Sequence, residues 1–221
     1  MGRIDEALST LGEIKDTTQR ALELAGLIAT LFKIKGVSLV VTGQLAFDCY
    51  ANTTSKTPDL GLATFSGKWT PRMLQEIMGA QLGAKGAIRR WTVVGIPVHF
   101  TGDLVSSHRE LCRDFMTDHG VVKLMPAEEV MAQRILTAVY PHPNEHAQQE
   151  ARLLLINALT EAFAMDWTAL RSICDLPDYR VGEDLAQMRA AAQRDITTMG
   201  IAKDHVGTPE PETAASDTPP V

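Results

Sequence analysis

Val40 to Leu62, VVTGQLAFDCYANTTSKTPDLGL, is the stretch whose reading decides how this chain folds. It completes a short β-branched run, Val37 to Thr42, that is bounded by Gly36 and Gly43 and reads as a buried strand. Gln44 to Tyr50 (QLAFDCY) then reads as a helix beginning just after Gly43. Asn52-Thr53-Thr54-Ser55 is a polar loop, and Pro58 to Thr64 is a second strand carrying Asp59 near its start. A strand, a glycine-bearing turn, a helix and an acid-bearing strand form a layout suited to phosphoryl chemistry. Backbone N–H groups at such a turn can cradle phosphates. Carboxylates two residues apart on the next strand face one way and can hold Mg²⁺ against those phosphates.

Working outward, residues 4–34 show apolar positions at intervals of three and four and predict a helix, with Gly12 as a point of interruption and Gly36 as its stop. Downstream, 69–82 reads as a helix with Pro71 in its first turn, and 88–94 and 96–101 as two strands separated by Gly95. The glycine-rich segment Gly79 to Gly86 reads as a helix end and loop, with Lys85 at the negative end of the helix dipole. One more short strand is expected at 121–124. His108-Arg109-Glu110 is assigned to the solvated face of a helix. From Pro126 the pattern is helical to about residue 199, starting with Glu128 and Glu129 as first-turn acids and broken at Pro141-His142-Pro143. The division expected is an α/β part at 1–125, a helical part at 126–200, and a Pro-, Glu-, Ser- and Thr-biased disordered tail at 201–221.

Composition bounds the function. A net charge of −6 with no basic run longer than Arg89-Arg90 disfavours nucleic acid as a partner. Three cysteines, Cys49, Cys112 and Cys174, share no zinc-ligand spacing and suit free thiols in a reducing compartment. The acid-bearing N-terminus does not read as a signal peptide, and the apolar run from Ala21 to Phe32 is too short to span a bilayer. A cytoplasmic protein without membrane association is expected. Nucleophile-elbow, Walker A, dinucleotide-fingerprint and HExxH motifs are all absent from the sequence.

Over roughly residues 20–175 the chain resembles the DNA polymerase β-like nucleotidyltransferase superfamily, especially its small bacterial abortive-infection toxin type. That family carries a strand ending in Gly-Gly or Gly-Ser, a helix, and then a Thr-x-Asp-h-Asp-h strand. Here the first element reads Thr42-Gly43-Gln44, and the second Thr57-Pro58-Asp59-Leu60-Gly61-Leu62. A third acid expected on a later strand falls on His99 of Ile96-Pro97-Val98-His99-Phe100. LMPAEEVMAQRIL, from Leu124, is similar to the family's Pro-Glu-Asp-Leu helix, whose usual followers are represented only by Asn144-Glu145-His146-Ala147-Gln148.

The resemblance implies an α/β (α+β) fold: a nucleotidyltransferase-like mixed sheet flanked by helices, followed by a helical C-terminal region. It implies Thr42, Gly43 and Gln44 as nucleotide-binding positions, Asp59 as a vestigial catalytic metal ligand, and Asp59 with His99 as a residual metal site. The candidate ligands are Mg²⁺ and a nucleotide. Each residue has a plainer role open to it: Gly43 as a helix start, Asp59 as a strand-edge acid after Pro58, His99 as a packed strand histidine. One Asp where several carboxylates are needed cannot neutralise and position two divalent ions. The expectation is therefore a catalytically degenerate protein that binds or regulates, with the C-terminal helices as a surface for a protein partner. The alternatives are an active transferase modifying RNA or protein, its missing acids supplied by Asp48 or Asp103, and an accessory protein of a mobile element unrelated to nucleotides.

Overall fold

The computed structural model describes residues 2–54, 59–104 and 108–200. Two helices open the chain, α1 (Gly2–Glu13) and α2 (Thr17–Ile34). The single helix expected over 4–34 is divided at Ile14–Asp16 rather than at Gly12. Asp16 has extended backbone and accepts from the Gln19 N–H, which starts a new helix where the old one ends. Strand β1 (Ser38–Thr42) leads into α3 (Gly43–Ala51), which ends on Asn52 in the left-handed conformation. Then come β2 (Leu60–Ser66) and α4 (Pro71–Leu74), the latter continued by a π-helical segment, Gln75–Gln81.

Lys85–Ala87, expected as loop, is strand β3, which pairs antiparallel with β4 (Arg90–Val93). β5 (Ile96–Asp103) follows, and Arg109–Leu111 forms a single 3-10 turn in place of the expected helix. β6 (Arg113–Thr117) has no counterpart in the sequence reading, and it pairs antiparallel with β7 (Gly120–Leu124). The remainder is α5 (Ala127–Val139), α6 (Glu145–Leu159), α7 (Trp167–Cys174) and α8 (Gly182–Met199). The segment 201–221 lies outside the described residues, as do Thr57 and Pro58.

The seven strands form one mixed sheet in the order β3-β4-β5-β2-β1-β7-β6. β1 lies between β2, antiparallel, and β7, parallel, while β2 runs parallel to β5. Alternation along the inner strands separates two faces. Leu60, Leu62, Val98 and Phe100 are buried on one face, where Phe100 meets Phe32 of α2 at 5.5 Å between ring centroids and Trp69 at 6.1 Å. His99 and Thr101 on β5, and Gly61 on β2, belong to the opposite face.

The C-terminal helices pack on α3 and on one another. Leu154, Leu155, Leu170 and Ile173 are fully buried there, and Leu153, Ile156, Leu159, Phe163 and Trp167 lie half-buried against the same core. These apolar side chains of the C-terminal helices are thus largely taken up within the chain. Among the described residues no helix is long and apolar enough to cross a membrane. The three cysteines are free, and burial pushes the Cys49 and Cys174 thiols up to about 12 and that of Cys112 up to about 11.

Phe100 is the contact between the sheet and both covering aromatic groups. Phe100→Ala removes that contact and leaves a cavity, and it should destabilise the protein by about 3–5 kcal/mol. Urea denaturation with tryptophan fluorescence would show the loss as a lower midpoint.

Candidate functional site

The turn between β1 and α3 is built around Gly43. Its φ of +70° lies in the left-handed region, and no heavy atom lies within 4 Å of where a Cβ would stand. Glycine is therefore required by the backbone and not by crowding. Thr42, with extended backbone and no side-chain cap bond, occupies the N-cap position of α3. First-turn N–H groups of α3 lack partners within the helix, as at any helix start.

Register places the other candidates beside this turn. Thr42 pairs with Gly61, and Gly61 pairs with His99 on the next strand, so one row crosses β1, β2 and β5. With neighbouring strands about 4.8 Å apart, the row brings Thr42, Gly61 and His99 within about 10 Å. Asp59 stands just before β2, and its Oδ2 lies 3.4 Å from His99 Nδ1. The pair is open to water, the two side chains being 48% and 33% exposed, and Asp59 Oδ1 has no hydrogen-bond partner. Such an exposed pair contributes little to stability.

Gln44 does not share this row's surroundings. Its amide faces the other side of α3, where Oε1 accepts from Arg134 Nη2 at 2.9 Å and Nε2 donates to Asp48 and Glu150. Asp48 is on that side as well. The side chain after Gly43 thus ties α3 to α5 and α6 and leaves the space beside the turn open.

Position 61 is closed to a second acid. A Cβ there would lie 2.8 Å from Thr42 Oγ1 and 3.1 Å from the Thr42 carbonyl oxygen, so a side chain requires Thr42 to move. Among the described residues no three His, Cys, Asp or Glu side chains gather closely enough to hold a metal ion. One carboxylate paired with an imidazole does not fit a site for two divalent cations, each of which needs several oxygen ligands.

A cavity of about 460 Å³ opens beside the turn. Thr42 and Gly43 line one wall, Ala63 of β2 with Thr101 and Asp103 of β5 line another, and Glu129, Gln133, Asp178 and Tyr179 close it from the helical side. Thr101 is the extra residue of a bulge, since Leu62 pairs with Phe100 and Ala63 with Gly102. Asp103, which pairs with Thr64 beyond the bulge, also lines the cavity. Asp103, Glu129 and Asp178 line this space, and among the described residues no Lys or Arg does.

Glu129 is a buried acid whose partner sequence patterning does not reveal. It occupies the first turn of α5, as expected, yet it is buried, and its Oε1 accepts from Tyr179 Oη at 2.7 Å. Burial first, and then this bond and the Glu129 charge, hold the Tyr179 phenol above the usual tyrosine range. Glu128 is buried too, accepting from the Asp166 N–H at 2.8 Å. Two adjacent acids at a helix start read naturally as dipole partners in solvent. The only available hint to the contrary was the apolar sequence on both sides of them.

No protein-family model matches the chain, and no curated protein sequence matches it. Among solved structures it is similar to an antigenic nucleotidyltransferase-like protein from Paracoccidioides brasiliensis, with a TM-score of 0.49 at 13% identity over 80% of this chain and 94% of that one. It is also similar to the antibiotic-resistance factor ANT(2'')-Ia. For the solution structure, the TM-score is 0.47 at 14% identity over 84% of this chain and 97% of that one. For the crystal structure with adenylyl-2''-tobramycin, the values are 0.46 and 14% over 78% and 96%. The likeness concerns the course of the chain and not its site residues.

Two outcomes follow from this geometry. Gly61→Asp, which places an acid where the resemblance expects one, should cost about 1–3 kcal/mol through overpacking against Thr42, read as a lowered urea midpoint. The second concerns pH. The unfolded chain releases a tyrosine proton near pH 10, whereas folded Tyr179 holds its proton to higher pH. Its contribution to stability is therefore complete below about pH 10 and lost as pH rises from there. Between pH 8 and 11 the urea midpoint of the wild type should fall more steeply than that of Tyr179→Phe.

Proposed function

We propose that this chain is a cytoplasmic protein on a nucleotidyltransferase scaffold that no longer transfers nucleotides and acts by binding. The observation that carries the reading is the state of the row Thr42–Gly61–His99. A glycine packed on Thr42 stands where a second acid would be, and the remaining Asp59 is paired with His99. Transfer chemistry of this type relies on cations that neutralise the phosphates and align the attacking and leaving oxygens. The residues here offer one exposed carboxylate for that task. The cavity beside the turn supports the same reading, because its three carboxylates would repel a triphosphate that arrives without bound cations. What persists is a glycine turn with open N–H groups and an enclosed space of ligand size. The chain's part in a toxin-type or mobile-element system is a role for such a bound ligand or a protein partner.

One observation favours a second reading, in which the chain remains an active transferase. Asp103, at the far end of β5, lines the same cavity as Thr42 and Gly43, so an acid lies near the turn. Asp48, the other substitute considered, lies on the opposite side of α3 and does not line this cavity.

Incubation of the purified protein with each labelled nucleoside triphosphate, Mg²⁺ or Mn²⁺, and RNA or protein acceptors separates the two. Binding without transfer predicts no label above background for wild type, Asp59→Ala and Asp103→Ala alike. Cation-dependent labelling that is lost in Asp59→Ala or Asp103→Ala would establish the active reading instead.

A further inference from the structure

On the far side of α3 from the glycine turn, a second cavity of about 310 Å³ lies between α3 and α6. Asp48, only 2% exposed, lines it. One Asp48 oxygen, Oδ1, accepts from Gln44 Nε2 at 3.1 Å and from Thr53 Oγ1 at 3.0 Å. The other, Oδ2, is buried and has no hydrogen-bond partner among the described residues. Glu150 lines the same space and is bonded through Oε1 to the same Gln44 amide at 3.3 Å. Its Oε2 lies 3.2 Å from Arg134 Nη1. His146 Nε2 stands 3.6 Å from Glu150 Oε1, with its own side chain 81% exposed.

The charges do not balance. Among the described residues Glu150 is paired with Arg134, which Gln44 and the face of Phe47 also hold, while Asp48 makes no ion pair. An unpartnered, buried carboxylate oxygen is costly to leave without a donor. The geometry points to a cation as that donor, and the walls indicate its shape. Phe47 and Leu153 are apolar lining residues flanking the polar base formed by Asp48 and Glu150. A methylene chain ending in a primary ammonium satisfies both parts, with its stem on the apolar walls and its three N–H donors toward the carboxylates. A divalent metal fits less well, since no group of three suitable ligands gathers among the described residues.

We propose that this cavity binds the end of a primary alkylammonium group, with Asp48 as its principal acceptor and Glu150 as the second charge. Two sources share that chemistry: a free aliphatic diamine and a lysine side chain of a partner protein. The site is separate from the cavity beside Gly43 and does not depend on how that cavity is read.

Isothermal titration of the whole protein at constant ionic strength tests it, using diaminobutane, acetyl-lysine methylamide, butanediol and sodium chloride. Saturable binding of either amine, with none for butanediol or sodium chloride, is expected. Binding of diaminobutane alone assigns the site to free diamines. Binding of the lysine probe alone assigns it to a partner's lysine, and binding of both establishes the shared group. Asp48→Asn, checked for its fold by circular dichroism, should weaken amine binding by about tenfold or more, the loss expected for one charge-assisted hydrogen bond. If Asp48→Asn does not fold, Leu153→Lys serves in its place: its tethered ammonium should fill the site and abolish amine binding. No binding of either amine, equal responses to butanediol or salt, or undiminished binding in folded Asp48→Asn or in Leu153→Lys would overturn the assignment.

Discussion

The close antiparallel pairing of β1 with β2, with Gly61 set against Thr42, is the constraint on which the rest depends. It holds the glycine turn and the Asp59 strand in one frame, and the same closeness means that a side chain at position 61 requires Thr42 to move. The contact that joins the central strands of the sheet is thus also the one that disfavours an acid there.

Around that pair, buried polar contacts tie the helices to one another. Glu129 with Tyr179, Glu128 with the Asp166 backbone, and Gln44 with Glu150 and Arg134 each join segments distant in sequence. Buried polar contacts of this kind add little net stability but penalise misalignment heavily, because a displaced partner leaves a desolvated charge behind. They fix how the C-terminal helices lie on α3 and therefore the width of the cavity beside Gly43. Function by binding would rest on that width, so the helical half acts as a wall of the site.

The strand–turn–helix–strand core was legible because its signals are local. β-branched residues between two glycines, a helix beginning at Gly43, and an acid-bearing run after a proline each state their conformation without help from distant residues. β6 was not legible. Arg-Asp-Phe-Met-Thr has no alternation, and it is a strand because β7 offers it an edge. β3, Lys-Gly-Ala, exists for the same reason beside β4. At the site, the family resemblance, and not periodicity, grouped Thr42, Gly43, Asp59 and His99. Neither could tell that Gln44 turns away or that Asp103 lines the cavity, since both depend on register and on helices far along the chain. The burial of Glu128 and Glu129 was not legible, because burial of an acid is decided by its partner, and Tyr179 lies fifty residues downstream.

The parallel neighbour of β1 is β7, which the chain reaches only after more than seventy further residues, while β2 follows β1 closely. A ribosome releasing this chain would therefore expose one bare edge of the central hairpin until Leu124 had emerged. The wall contributed by Tyr179 would come later still. Long-range closure of this kind slows folding and leaves hydrogen-bonding backbone open to other chains meanwhile. Nascent fragments ending between these points would be prone to association, and recombinant expression would benefit from a chaperone that shields the emerging edge.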